Sequence, residues 1–293
     1  SHYAYLKIAD GCDNRCTYCL IPSIRGPRRS RPIPEIVREA RSQARLGVRE
    51  LVLVGQDTSA YATDIYRRPA LPRLLRRLAG VRRIRWIRLM YTHPAHVDAS
   101  LLDAYRSNPK LCRYIDLPIQ HVSDRILGRM NRGYTRSTLE ALLARLRSVP
   151  EMRVRTTVMA GFPGETEAEF RELLDFQRSV RFDRLGAYAY SPEPGTPAST
   201  LQGQVPDKVK QARLGEVMRL QAGISRRNLR SLKGKNLEVL MDTPCTGRTE
   251  WEAPEIDGVA KIDGRPRQPG EFVRVKVART LTHDLVVCPL VSA

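Results

Sequence analysis

The sequence predicts an α/β protein: a partial parallel barrel of six strand–helix units, followed by a small all-β barrel. Three observations lead to this fold. Six apolar runs of strand length alternate with amphipathic stretches, which favours parallel strands joined by right-handed helical crossovers. The final part of the chain contains short strand-like runs between Gly/Pro turns, which is typical of a small β-barrel. A long charged helical stretch, 207–232, separates the two parts, so we expect domains at 1–232 and 233–293.

The predicted elements follow one another regularly along the chain. The six strands of the first domain are expected at residues 3–8, 50–54, 84–90, 114–117, 154–160 and 185–190. The helices between them are expected at residues 34–46, 71–79, 99–106, 135–147 and 165–179. The strands of the second domain are expected at residues 236–241, 258–262, 272–277 and 285–289. Because parallel βα barrels place their working residues at the C-terminal ends of the strands, we expect the functional site there.

Three cysteines, Cys12, Cys16 and Cys19, stand close together directly after the first predicted strand. A disulfide would pair two of them and leave the third cysteine unpaired. A structural zinc site needs four ligands, usually as two close pairs, and the sequence has no second pair of ligands nearby. Three thiolates on one loop can instead hold three corners of a [4Fe-4S] cluster and leave one iron open to a small molecule. We therefore expect a reactive iron–sulfur site, with zinc or a disulfide as the alternatives.

The whole sequence resembles the methylthiotransferase family of the radical S-adenosylmethionine (SAM) superfamily, in which a radical SAM core precedes a TRAM domain with an OB-like barrel. The motifs that carry the resemblance are the cysteine loop and residues 21–26, 54–58, 116–121, 161–166, 190–197 and 253–258. Asp57 and the last of these motifs favour the branch that modifies a small-subunit ribosomal protein. The resemblance implies an enzyme that adds a methylthio group to the β-carbon of an aspartate.

The resemblance also implies the cofactors, a [4Fe-4S] cluster on the three cysteines and SAM on its open iron. A second cluster is expected only in an N-terminal domain that this sequence does not include, so we expect cluster and SAM binding without complete sulfur insertion. The expected SAM contacts are Tyr18, Gly55, Gln56, Asp57, Gln120, His121, Arg155, Gly161, Phe162 and Pro163. Loop or helix-cap hydrogen bonding is the alternative for Gln120 and His121. A barrel-facing Arg155 would need an anion such as the SAM carboxylate.

The formal charge of +19, from 50 basic and 31 acidic residues, predicts an anionic partner, most often nucleic acid. The excess lies before residue 234, since the remainder holds 8 basic and 9 acidic residues. Four closely spaced carboxylates of the second domain are expected to form an acidic face that docks a basic ribosomal protein: Glu250, Glu252, Glu255 and Asp257. An external electron donor is a further expected partner.

Two alternatives for the function remain open. A tRNA methylthiotransferase would use the same core chemistry on a modified adenosine. A non-enzymatic RNA-binding protein would use a structural metal and the basic core to bind RNA. The chain has no apolar run of membrane-spanning length and no export signal, and we expect a cytoplasmic protein without a membrane partner.

Overall fold

The structure is a computed structural model that describes residues 1–290. Its strands are β1 (Tyr3–Lys7), β2 (Ala9–Asp10), β3 (Arg29–Ser30), β4 (Glu50–Val54), β5 (Trp86–Leu89), β6 (Leu111–Asp116), β7 (Arg153–Ala160), β8 (Arg184–Ala189), β9 (Asn236–Met241), β10 (Thr246–Arg248), β11 (Ala260–Ile262), β12 (Phe272–Thr280) and β13 (Leu285–Pro289). Its α-helices are α1 (Ile21–Arg25), α2 (Ile33–Arg45), α3 (Thr63–Tyr66), α4 (Leu71–Ala79), α5 (Ala99–Ser107), α6 (Asp124–Arg129), α7 (Arg136–Arg147), α8 (Glu167–Val180) and α9 (Asp207–Arg230).

Six strands form one parallel sheet in the order β1-β4-β5-β6-β7-β8, with β1 and β8 at its edges. Along each strand the side chains alternate between two faces. Leu51 and Leu53 of β4 point outward into the apolar core shared with the helices, whereas Glu50 and Val52 point to the concave face. The sheet is therefore the predicted partial parallel barrel, and its concave face is available for a site.

The second barrel is closed, in the order β10-β11-β13-β12-β9, so the prediction of a small all-β barrel is also confirmed. Strand β10 was missed because its three residues carry no apolar alternation. Its Gly247 is required for close packing, since a Cβ there would collide with the carbonyl of Leu240 on β9. No helix of the described chain, α9 included, is long and apolar enough to cross a membrane.

The small barrel packs against the concave face of the sheet, toward the N-terminal ends of the strands. Trp86 of β5 meets Phe272 of β12 edge to face, with 4.9 Å between ring centroids. A segment of the barrel, residues 249–258, crosses this face and is called the plug below. Tyr114 of β6 donates to Asp257 of the plug at 2.7 Å, and Arg88 of β5 donates to the Glu250 carbonyl at 2.8 Å. The plug thus covers the concave face below the strand ends that carry the site.

The prediction of an acidic docking face on the small barrel is wrong for this arrangement. Glu252 is buried and accepts from Arg184 of β8 at 2.8 Å, and the side chain of Asp257 is only 4% exposed. Glu250 accepts from the backbone of Arg113, and only Glu255 is exposed. These carboxylates face arginines and backbone donors of the core. The acidic excess of the barrel therefore complements the basic core, which a charge count by domain could not reveal.

Candidate active site: the cysteine cavity

The loop that carries the three cysteines is closed at its base by a short antiparallel pair. Strand β2 pairs with β3, with Ala9 opposite Ser30 and Asp10 opposite Arg29. Gly11 turns the chain directly after β2 with a φ of +75°, and a Cβ there would collide with the carbonyl of Pro27 across the loop. The turn therefore requires glycine, and it fixes the position of Cys12, the next residue in the chain.

The three cysteine side chains line one cavity of about 350 Å³ at the C-terminal ends of the strands. Seven of the predicted site residues lie on its wall: Cys12, Cys16, Tyr18, Cys19, Gly55, Gln56 and Gln120. In the described residues, no three His, Cys, Asp or Glu side chains converge as ligands of a single metal ion would. A cubane cluster does not require such convergence, because each cysteine binds a different iron. The donor set and its spacing on one wall therefore fit a three-cysteine cluster.

Arg132, which follows α6, is the residue that the sequence analysis missed most clearly. Its guanidinium is 6% exposed and lies on the cavity wall. It donates to the Cys16 sulfur at 3.3 Å, and to the carbonyl of Pro118 at 2.8 Å. Tyr134 accepts from its Nε at 3.1 Å. Arg132 is thus held by several hydrogen bonds with its positive charge against the Cys16 sulfur on the cavity wall.

Burial acts against the ionised form of two of the cysteines. Desolvation raises the pKa of the Cys12 thiol and of the Cys19 thiol. Arg28 lowers the pKa of Cys12 and Arg132 lowers that of Cys19, in each case by less than burial raises it. Because iron binds thiolates, these two arginines offset part of the desolvation that the cavity imposes.

Gln56 carries an unpartnered polar atom on the cavity wall. Its amide nitrogen donates to the carboxylate of Asp10 at 3.4 Å. A carboxylate only accepts, so the amide oxygen is the atom left over, and that Oε1 is buried without a hydrogen-bond partner. A buried acceptor of this kind is costly unless a donor arrives. The cavity is therefore prepared for a cationic or N–H donor such as an ammonium group.

Two non-glycine residues on the cavity wall adopt left-handed backbone conformations, Tyr91 with φ +57° and Gln120 with φ +63°. Such conformations cost of order 1 kcal/mol or more and persist only where neighbours impose them. Asp116 of β6 accepts from the Tyr91 backbone at 3.0 Å, while Gln120 exchanges backbone hydrogen bonds with β7. The wall of the cavity is thus rigid, as a site that orients a ligand requires.

Asp57 lies behind the cavity wall and supports it. Its carboxylate accepts from His96 at 2.6 Å, from Asn14 at 3.0 Å and from Ser59 at 2.6 Å. Burial alone would raise the pKa of Asp57, but the hydrogen bonds from His96 and Ser59 outweigh it and lower the pKa. Since Asn14 belongs to the cysteine loop, the ionised Asp57 ties that loop to the end of β4. Asp57 thus occupies a supporting position behind the lining residues, and its expected direct contact with SAM stays a prediction.

His121 and Arg155 also have partners away from the cavity. The His121 ring is fully buried; it accepts from the Ser123 backbone at 3.0 Å and faces Glu165 at 3.3 Å. Arg155 does face the concave side, but it donates to Asp116 at 2.7 Å and lies 3.7 Å from Asp257 of the plug. Asp116 and Asp257 thus neutralise Arg155, and the expected contact of Arg155 with the SAM carboxylate stays a prediction. For His121 the loop-bonding alternative describes the geometry.

Three further expected SAM contacts, Gly161, Phe162 and Pro163, also lie outside the lining of the cavity. Phe162 is fully buried and meets Tyr18 edge to face at 6.4 Å between centroids. Gly161 donates its backbone N–H to Glu165. Phe162 therefore supports the cavity through Tyr18. The lining residues that prediction missed are Asn14, Ile21, Tyr91, Thr92, His93, Pro118 and Arg132.

Comparison with known proteins agrees with this geometry. The family model described as the radical SAM superfamily matches residues 6–176, which is more than half of the chain. This chain belongs to the radical SAM superfamily. The model of the TRAM domain matches residues 234–288. The first match includes the cysteine loop and most of the parallel sheet, and the second covers most of the small barrel.

Curated relatives named ribosomal protein uS12 methylthiotransferase RimO resemble nearly the whole chain. The relative from Desulfitobacterium hafniense is 44% identical over 97% of this chain and 65% of that protein. The relative from Moorella thermoacetica is 46% identical over 94% of this chain and 64% of that protein. The chain thus spans slightly less than two thirds of the length of these relatives.

Solved structures share the fold at lower sequence identity. The radical SAM methyltransferase TsrM from Kitasatospora setae has a TM-score of 0.56 at 20% identity, covering 67% of this chain and 38% of TsrM. The coproporphyrinogen III oxidase HemN from Escherichia coli has a TM-score of 0.55 at 20% identity, and the match covers 76% of this chain and 52% of HemN. At this identity the likeness establishes the fold alone.

Proposed function

We propose that this chain is the catalytic part of a radical SAM methylthiotransferase that acts on an aspartate of ribosomal protein uS12. The observation that carries the proposal is a single cavity whose wall includes all three cysteines and Gln56, whose buried amide oxygen has no hydrogen-bond partner. The 44% identity to a relative named for that activity supports the choice of reaction and substrate. The acceptor would be the β-carbon of the aspartate side chain, as in the family that the sequence resembles.

Cys12, Cys16 and Cys19 would hold a [4Fe-4S] cluster, and SAM would occupy the rest of the cavity. When bound, the cluster supplies the electron that splits SAM into methionine and a deoxyadenosyl radical. Gln56 would accept a hydrogen bond from the SAM ammonium, since its Oε1 is the unpartnered acceptor on the wall. Arg132 would donate a hydrogen bond to the Cys16 sulfur, and the backbone near Tyr91 and Gln120 would keep the ligand in one orientation.

The proposed reaction also needs a source of sulfur. The other three cysteines are dispersed: Cys112 is buried in β6, Cys245 is exposed, and Cys288 is half-buried in β13. They do not form a second three-cysteine site within residues 1–290. We propose that sulfur delivery depends on a second [4Fe-4S] cluster in a segment that these 293 residues do not include. The chain alone would then bind a cluster and SAM without completing sulfur insertion.

The remaining parts of the proposal are the partners and the setting. We propose that the substrate is the basic ribosomal protein, that an external electron donor reduces the cluster, and that the protein acts in the cytoplasm. The radical SAM core would comprise residues 1–232 with the connecting helix α9, and the TRAM domain residues 233–293. The last three of these residues lie outside the described part of the chain.

Deoxyadenosine formation tests the proposal directly. The protein is reconstituted anaerobically with iron and sulfide, reduced, and given SAM, and the deoxyadenosine is quantified. Wild type and the control Cys245→Ala, which removes an exposed thiol, should form it, whereas Cys16→Ala should not. A uS12 peptide deuterated at the β-carbon of its aspartate and tRNA are then offered in competition, and transfer of deuterium into deoxyadenosine is measured, a step that needs no sulfur source. Cleavage that persists in Cys16→Ala, or deoxyadenosine that acquires no deuterium from the peptide, would contradict the proposal.

A further inference from the structure

A groove lined by arginines lies on the opposite rim of the parallel barrel from the cysteine cavity. It is bounded by the C-terminal end of α2 and by the loop between α4 and β5, and it has a volume of about 780 Å³. Loops that precede strands lie at the N-terminal ends of the sheet, whereas the cavity lies at the C-terminal ends. The groove is therefore separate from the site described above. Its lining residues are Arg41, Ala44, Arg45, Gly80, Val81, Arg82 and Arg83.

The four arginines of this groove, Arg41, Arg45, Arg82 and Arg83, are exposed and have no carboxylate partner within residues 1–290. The sequence accounts for this, because it contains nine arginines and no Asp or Glu between Asp64 and Asp98. Arg85, only two residues on, differs from them, because it bonds Glu238 of the small barrel at 2.7 Å. Four guanidinium groups that line one groove without a counterion repel one another, so the groove favours an anion.

The lining indicates which anion the groove fits. Guanidinium groups bind phosphate oxygens in bidentate geometry, and four of them along one groove suit a row of phosphates better than a single small anion. The other lining residues are Ala44, Gly80 and Val81. The groove therefore has no aromatic side chain on which an unpaired base could stack. Single-stranded RNA is normally bound through such stacking, whereas double-helical RNA is bound through its backbone and shape.

We propose that this groove binds the phosphate backbone of structured ribosomal RNA. The inference rests on the proposed function, since a ribosomal protein substrate is surrounded by such RNA. Because the groove and the cysteine cavity lie on opposite rims, RNA held in the groove leaves the cavity free for the protein substrate. The affinity would be independent of base sequence and would fall steeply with salt.

The test compares two quadruple variants that change the net charge equally. The groove variant replaces its arginines with glutamine: Arg41→Gln, Arg45→Gln, Arg82→Gln and Arg83→Gln. The control variant replaces exposed, unpaired charges on α9: Lys208→Gln, Arg219→Gln, Arg227→Gln and Arg230→Gln. Binding to purified small-subunit ribosomal RNA is measured by fluorescence anisotropy from 0.05 to 0.4 M salt, with poly(U) as the single-stranded probe. Circular dichroism and thermal unfolding confirm that both variants fold.

We expect the groove variant alone to lose ribosomal RNA affinity, by up to roughly a thousandfold at 0.1 M salt. The slope of log affinity against log salt should fall by about 3, because each lost phosphate contact removes about 0.7 to 0.9. An equal loss in both variants, or an unchanged groove variant, would overturn the proposal. A loss confined to poly(U) would overturn the assignment to structured RNA. Deoxyadenosine formation should be unchanged in both variants. Its absence in the wild-type protein would refute the proposed function but would leave the RNA-binding result of the groove variant valid.

Discussion

The contact between the two barrels depends on one buried carboxylate, Glu50 of β4. Its two oxygens accept from Arg88 and from Arg248 of the small barrel, each at 2.7 Å, and all three side chains are at most 2% exposed. Glu50→Gln keeps the shape but removes the charge. Arg248 retains Asp242, whereas Arg88 loses its carboxylate partner and stays buried. Removing one member of a buried pair typically costs about 3–5 kcal/mol.

We expect the lower end of that range, about 3 kcal/mol, because two contacts of Arg88 remain. It still donates to the Glu250 carbonyl at 2.8 Å, and it stays 5.0 Å above the Tyr114 ring. The control is Glu39→Gln, which breaks the half-exposed pair with Arg31 and should cost less than about 1 kcal/mol. The buried pair therefore predicts a loss at least about three times that of the exposed one.

Urea unfolding followed by tryptophan emission measures both variants. The chain has two tryptophans, and both lie where the barrels meet: Trp86 packs on Phe272, and Trp251 lies 4.7 Å below the Arg153 guanidinium. A loss of about 3 kcal/mol should lower the unfolding midpoint by about 1 M or more. If Glu50→Gln lowered the midpoint no further than Glu39→Gln, the carboxylate would not hold the barrels together and the reasoning would be refuted.

Three further predictions concern the site. Replacing Arg132 with glutamine removes the charged donor to Cys16, and this should lower the reduction potential of the cluster by roughly 50–100 mV, because a positive donor favours the reduced cluster. Potentiometry with EPR detection measures the potential, and an unchanged value would show that the contact is unimportant. Burial lowers the pKa of His93 to about 3, so unfolding takes up a proton below the ordinary pKa near 6.5 and stability falls as the pH drops from 6.5 toward 3. His93→Gln should reduce that slope by up to about 1.4 kcal/mol per pH unit in urea titrations, and an unchanged slope would exclude this histidine as the cause. Gly11→Ala should abolish iron loading, measured by iron and sulfide content. Gly234→Ala, with a similar φ of +81° but open space at its Cβ, should retain most of it, and equal losses would contradict the packing argument.

The fold was largely predictable, because alternation of apolar runs and amphipathic helices is a local property of the sequence. The elements that prediction missed are short and lack periodicity, such as the β2–β3 pair and the helices α1, α3 and α6. Strand β6 begins three residues before its predicted start, at Leu111, where pairing with Ile87 of β5 extends it.

The site was predictable only where a motif fixes the chemistry. The cysteine loop, Gln56 and Gln120 reached the cavity wall as expected, because loops after parallel strands share one rim. Arg132 could not be found in this way, since nothing in a single sequence distinguishes it among 50 basic residues. The carboxylate partners of Arg155 could not be predicted, because they come from another strand and from the small barrel. Such long-range pairings are a property of the folded chain and leave no local signal.

The central claim is that the cavity places SAM on the open iron of a three-cysteine cluster. The most direct measurement is the EPR spectrum of the reconstituted, reduced protein with and without SAM. We predict that SAM changes the cluster signal in wild type, that Gln56→Leu weakens this response because the buried acceptor is lost, and that Cys16→Ala gives no such signal. A fully loaded cluster whose spectrum is unaffected by SAM, or zinc in place of iron and sulfide, would contradict the account.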